Sequence, residues 1–108
     1  MERKERVLTL DTFEPRVPRA TQLEGAGFHL HGRVRVVAKE RNRIHAVIRS
    51  RRPYDVRVAV TDAGKVAVSC DCVTFEAEHA VCRHVWAALI EVQNQDLLQL
   101  PVARAAAP

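Results

Sequence analysis

The feature that most restricts this 108-residue chain is the placement of its three cysteines. Cys70 and Cys72 are one residue apart, Cys82 follows after a nine-residue spacer, and His84 stands one residue beyond it. Side chains two positions apart on an extended strand point to the same side, so Cys70 and Cys72 bring two sulfurs to one face without a special turn. Downstream, Val81, Val85, Leu89 and Val92 repeat near helical spacing, which puts Cys82 and His84 where a helix begins. A helix N-terminus favours thiolate through its dipole and its unpaired amides. Two thiolates from a strand, with a thiolate and an imidazole from a helix, make a Cys3His set suited to one structural zinc ion. Protein then fills all four tetrahedral positions and leaves none for a catalytic water.

Other readings of these residues compete. Small buried cysteines and a core histidine can fall close together without a metal, but two ordered pairs at ligand spacing are more specific than either pair alone. A thiol–disulfide site would call for C-x-x-C in a βαβ context, which is missing. Three cysteines cannot all pair within one chain, and free thiolates suit a reducing compartment, so the expected location is cytoplasmic. His79, three residues before Cys82, is a competing imidazole, since a loop histidine turns inward easily; beside Glu76 and Glu78 it reads as a solvated one. His29 and His31 flank Leu30 near a helix end, where an imidazole can cap carbonyls, and are assigned no metal.

Periodicity organises the rest. From Pro18 to Gly32, Ala20, Leu23, Gly27 and Leu30 recur at spacings of three and four, which predicts a helix that Gly25 and Gly27 weaken. After Gly32 the period becomes two. The stretches 33–39, 43–49, 54–60 and 65–70 are rich in β-branched residues and separated by turn-like segments, predicting a four-stranded antiparallel meander. Alternation sends Val34, Val36, Ile44, Ala46, Ile48, Val56, Val58, Val60, Val66 and Val68 to one face. A short loop, VTFEAEHA, then leads to the last helix, with Trp86 in the core and Phe75 covering the loop. The expected architecture is α+β: an N-terminal helix and a zinc-anchored C-terminal helix packed on a small antiparallel sheet, in a single domain spanning 1–108. The first ten residues read as a frayed or loosely docked terminus and 101–108 as a tail. No apolar run is long enough for a membrane span.

The net charge of +4 is unevenly spread. Met1 to Arg52 holds thirteen Lys or Arg against six acids, and Pro53 to Pro108 holds four against seven. Strand alternation gathers Arg33, Arg35, Arg43, His45, Arg49 and Arg57 on the face away from the core. Such a face can be merely solvated and resistant to edge aggregation, or it can bind phosphates, and both readings stand. No Ser–His–Asp set, paired catalytic carboxylates or Gly-rich phosphate loop appears, so no enzymatic activity and no small-molecule substrate are expected.

Cys70-Asp71-Cys72, a nine-residue spacer, then Cys82-Arg83-His84 and the apolar VWAALI resemble the SWIM-type zinc finger, whose pattern is C-x-C followed by C-x-H. The motif covers about 54–92. More loosely, GFHLHGRV and RPYDVRV are similar in style to the lead into the finger in bacterial SWIM proteins, including extensions of SWI/SNF-related helicase-like ATPases. The resemblance implies a zinc-bound strand–strand–helix unit with a role in DNA binding or protein association, often as an appendage to another domain. Nothing here resembles a helicase motor, transposase or kinase. The expected function is therefore nucleic-acid binding, DNA rather than RNA, through Arg33, Arg35, Arg43, Arg49 and Arg57, mostly by phosphate contact. The rival is a protein-interaction or accessory module docking through its apolar last helix or its acidic C-terminal half.

Overall fold

The computed structural model describes residues 5–7, 10 and 13–101. A short strand β1 (Glu5–Val7) and a 3-10 turn at Glu14–Arg16 precede helix α1 (Arg19–Leu30). Strands β2 (Val34–Glu40), β3 (Arg43–Arg49), β4 (Pro53–Val60) and β5 (Val66–Cys70) follow, then α2 (Val73–Glu78), α3 (Arg83–Asn94) and β6 (Gln99–Pro101). Strands β2 to β5 form one antiparallel sheet in chain order, the expected meander. Among the described residues no helix is long and apolar enough to cross a membrane.

Register explains why this sheet has one dry face. Val34 lies opposite Ile48, Ala46 opposite Val56, Val58 opposite Val68, and Val56 opposite Cys70, so the alternating apolar residues of four strands stack in rows. Ile44, Ala46, Ile48, Val56, Val58 and Val60 are buried there beneath Val85, Leu89 and Val92 of α3. A β-bulge between Val36 and Ala38 interrupts the β2 register, and the extra residue, Val37, is left 47% exposed.

The helices stack differently from the expectation. Helix α1 packs chiefly against α3, so α3 lies between α1 and the sheet. That is why Val85, Trp86, Ala87, Ala88 and Leu89 are all buried, while Ile90 is half-buried. The face of α1 is also reversed. Leu23 and Leu30, expected to pack, are 61% and 79% exposed, while Gly25 is buried and Phe28 and His29 are half-buried. Close backbone approach decides this: a Cβ on Gly25 would stand 2.7 Å from Trp86 Cδ1 and 2.8 Å from the Arg83 carbonyl oxygen. Only a glycine at that position lets α1 sit so near α3. His29 caps no carbonyl with its ring; its Nε2 lies 2.7 Å from Glu91 Oε1 and ties α1 to α3.

Two further differences are local. The first six residues of VTFEAEHA form a helix, α2, within the expected loop: the Cys72 sulfur accepts the Phe75 N–H at its start, and His79 closes it in the left-handed conformation, φ 51°. Within the first ten residues, β1 pairs antiparallel with β6, and the Leu10 N–H donates to Gln93 Oε1 at 2.7 Å. Cross-chain pairing of this kind leaves no periodic signal in three-residue strands. Residues 1–4, 8, 9 and 102–108, which complete the expected terminus and tail, lie outside the described residues.

Candidate metal centre

Strand β5 delivers Cys70 as its last residue, and the chain stays extended through Cys72, φ −88° and ψ 160°. Both sulfurs therefore turn toward the core side of the sheet. Cys82 is the residue that caps α3, and His84 lies in the first turn of that helix. The four side chains are buried, and their candidate ligand atoms all lie within 4.8 Å of one another. His84 Nδ1 is 3.7 Å from Cys70 Sγ and 4.0 Å from Cys82 Sγ. Tetrahedral zinc with ordinary bond lengths has S–N edges of about 3.6 Å and S–S edges of about 3.8 Å, so these two S–N distances lie within a few tenths of an ångström of what zinc needs, and drawing the remaining atoms in from at most 4.8 Å completes the site. His79 is not part of it. Its ring is exposed and meets Phe75 edge-on, with centroids 5.9 Å apart.

Electrostatics favours a cation. Cys82 is pulled well below the usual thiol range, first by its hydrogen bond with Cys70, against the opposing effect of burial, with His84 and the Val85 N–H adding to the fall. Cys70 is pushed up by the same bond and by burial. A divalent metal bound there would be met by thiolates, since metal binding releases the protons of its cysteine ligands. Cys70, Cys72, Cys82 and His84 would hold the ion, whose contribution is to tie the end of β5 to the start of α3.

The His84 ring is oriented in an unusual way. A metal-bound imidazole ordinarily donates its second N–H to an acceptor, yet Nε2 of His84 is buried without a hydrogen-bond partner among the described residues. Aromatic packing takes that place. Tyr54 stacks on the ring at 4.1 Å between centroids and 16° between planes, and Phe28 lies at 5.5 Å, tilted by 31°. Arg52 sits over the outer face of Tyr54, 4.1 Å from its centroid, and its Nη2 donates to the Asp71 carbonyl oxygen at 3.2 Å. Asp71, between the two cysteines, accepts the Asp55 N–H on Oδ1 at 3.0 Å. Phe28, Arg52, Tyr54 and Asp71 were not singled out by spacing, because an aromatic in a strand or helix signals core and nothing more. Only Asp71, lying inside C-x-C, carried a positional hint.

On the opposite face of the sheet, register brings the arginines together. Arg35 lies opposite Val47, Arg43 opposite Ala59, Arg49 opposite Pro53, and Arg57 stands between His45 and Ser69; all are exposed. Arg33 enters β2 from the loop, and its Nη1 donates to the Arg49 carbonyl oxygen at 3.4 Å. Acids offset part of this charge: Glu40 pairs with Arg43, and Asp55 Oδ1 lies 2.7 Å from His45 Nε2. Arg35, Arg49 and Arg57 have no carboxylate partner among the described residues.

Comparison with known proteins agrees with the geometry of the cluster. Residues 54–93 match the family model of the SWIM zinc finger, a stretch that begins at Tyr54 and ends within α3. No curated protein and no solved structure matches the chain. Residues 54–93 therefore match the SWIM zinc finger, and within them Cys70, Cys72, Cys82 and His84 form a site for one structural zinc ion.

Proposed function

We propose that this chain is a non-enzymatic module that binds DNA through the arginines of its outer sheet face, with the zinc site holding that sheet to its covering helix. The supporting observation is the row geometry: Arg35, Arg49 and Arg57, without acidic partners among the described residues, share a face with Arg33 and Arg43, and no described helix covers them. Guanidinium groups so spaced can meet successive phosphates, and phosphate contact is largely indifferent to sequence. Each phosphate neutralised adds about −0.9 to the slope of log K against log salt, so affinity falls steeply as salt is raised.

The test is a charge reversal, Arg35→Glu with Arg49→Glu. Mobility shift of mixed-sequence DNA at low salt should be abolished, while zinc content and far-UV circular dichroism stay unchanged. Absence of wild-type binding at every salt concentration, or binding that survives the double reversal, would overturn the reading.

A second reading, docking of a protein partner, draws support from α1. Its outward Leu23 and Leu30 lie on the side of the helix opposite Gly25 and form an apolar stripe that the described residues leave uncovered. An apolar partner helix on this stripe would bind with little salt dependence, and Leu23→Asp would abolish it without affecting DNA.

A further inference from the structure

The outer sheet face is not evenly charged. Between Arg43 and Arg57 it dips into a depression of about 430 Å³, within the range of about 300–1,000 Å³ found for small-ligand sites. Its floor is made of small residues. Ala38, Ala59 and Ala67 come from three different strands, and register sets Ala59 directly between Arg43 on β3 and Ala67 on β5. Around the rim stand Arg43, Arg57, His45, Ser69 and Glu40. Glu40 holds Arg43 by its Nε, which fixes the guanidinium plane and leaves the terminal nitrogens to face a ligand. His45 is fixed in the same way by Asp55. With Glu40 offsetting one of the two guanidinium groups, the rim carries about one positive charge, matched to one phosphate and not to a run of them.

We infer that this depression seats one nucleotide of a single DNA strand, its base lying over the alanine floor beside the guanidinium planes and its phosphate on Arg57. The inference rests on the nucleic-acid reading above and narrows it. A duplex keeps its bases stacked and paired inside a stiff rod, so no whole base can enter the dip. A single strand can splay one base out, and guanidinium planes as well as aromatic rings serve as stacking platforms for it. Ser69, His45 and Glu40 supply both donor and acceptor atoms at the edge of the dip. Between that base and the phosphate on Arg57 the sugar passes over the edge of the same methyl-lined surface, which suits deoxyribose, because a ribose 2′-hydroxyl placed against alanine would lose water without gaining a partner.

The experiment compares affinities of the intact zinc-loaded chain for mixed-sequence oligonucleotides of about ten residues, a length within single-strand site sizes. Fluorescence anisotropy would be read for single-stranded DNA, the same sequence as duplex, and the same sequence as RNA. Stacking of one seated base predicts a preference for the single DNA strand of about tenfold or more over the duplex. Filling the dip by Ala67→Leu should bring that preference close to unity. Ala59→Leu should do the same, and Ala67 is exposed at an edge strand, so its variant folds even if the central-strand one does not. Duplex binding as tight as single-strand binding, or a preference untouched by Ala67→Leu, overturns the nucleotide seat while leaving the arginine face standing. RNA bound more tightly than DNA overturns the deoxyribose assignment. Single-strand affinity that survives the double reversal Arg35→Glu with Arg49→Glu removes the wider reading of the arginine face, whereas single-strand affinity that survives Arg57→Glu removes the seat.

Discussion

Tyr54 lies flat against His84, ring centroids 4.1 Å apart, so that the strand opening the finger clamps the imidazole contributed by the helix that closes it. The contact replaces the hydrogen bond that would ordinarily orient a ligand histidine, since Nε2 of His84 is buried without a partner among the described residues. Outer contacts of metal ligands are worth about 10- to 100-fold in metal affinity, so Tyr54→Ala should weaken zinc binding by that order. Tyr54→Phe keeps the ring and should stay close to wild type. Competition with a chromophoric chelator measures both; equal losses in the two variants would show that the hydroxyl, and not the stack, matters.

Metal content tests the ligand set. Purified reduced protein should hold one zinc per chain, and Cys72→Ser and His84→Ala should each sharply reduce it. His79→Gly should retain the metal, because that ring points away from the cluster and glycine adopts φ 51° without strain. Metal analysis of the four proteins decides the matter; zinc loss in His79→Gly would mean the wrong imidazole is named.

Removing zinc should melt the C-terminal half. Apparent zinc affinities in finger peptides are about 10–16 kcal/mol, comparable to the roughly 5–15 kcal/mol that holds a small domain folded. Chelation should therefore lower the melting temperature and remove helical circular dichroism from α3, whose N-cap and first turn carry two of the ligands. An unchanged transition after verified zinc removal would show that the apolar core alone suffices. Acid should act in the same direction, since each proton returned to a thiolate competes with the metal.

The two glycines of α1 predict opposite outcomes. Gly25→Ala forces a methyl to within 3 Å of Trp86 and the Arg83 carbonyl, an overpacking that costs about 1–3 kcal/mol. Gly27 has nothing within 4 Å of its would-be Cβ, so Gly27→Ala should stabilise the protein by about 0.5–1 kcal/mol. Thermal or urea denaturation reads both signs; a stabilised Gly25→Ala would mean that α1 does not approach α3 as described.

Much of this was legible from local pattern. The period-two alternation of Val, Ile and Arg named four strands and their faces, because side-chain direction in a strand depends only on position parity. Helix α3 and its two ligands followed from the spacing of Val85, Leu89 and Val92. Helix α2 was missed because its six residues have no apolar period, and it is held by a cap on Cys72 and a left-handed His79. The pairing of Glu5–Val7 with Gln99–Pro101 was missed because partners so far apart leave no mark on either segment.

The sequence by itself determined the meander, the cysteine and histidine pairs and the gathering of arginines on one side, all of which depend on spacings of a few residues. Tertiary structure alone decided which face of α1 is buried, because that turned on how near two backbones could come at Gly25, and an apolar count rewarded Leu23 and Leu30 instead. It also decided what orients His84, since Tyr54 and Phe28 reach that ring from elements 30 and 56 residues away in the chain. Contacts at such separation are fixed by how the layers stack, and hydrophobic periodicity carries no information about stacking order.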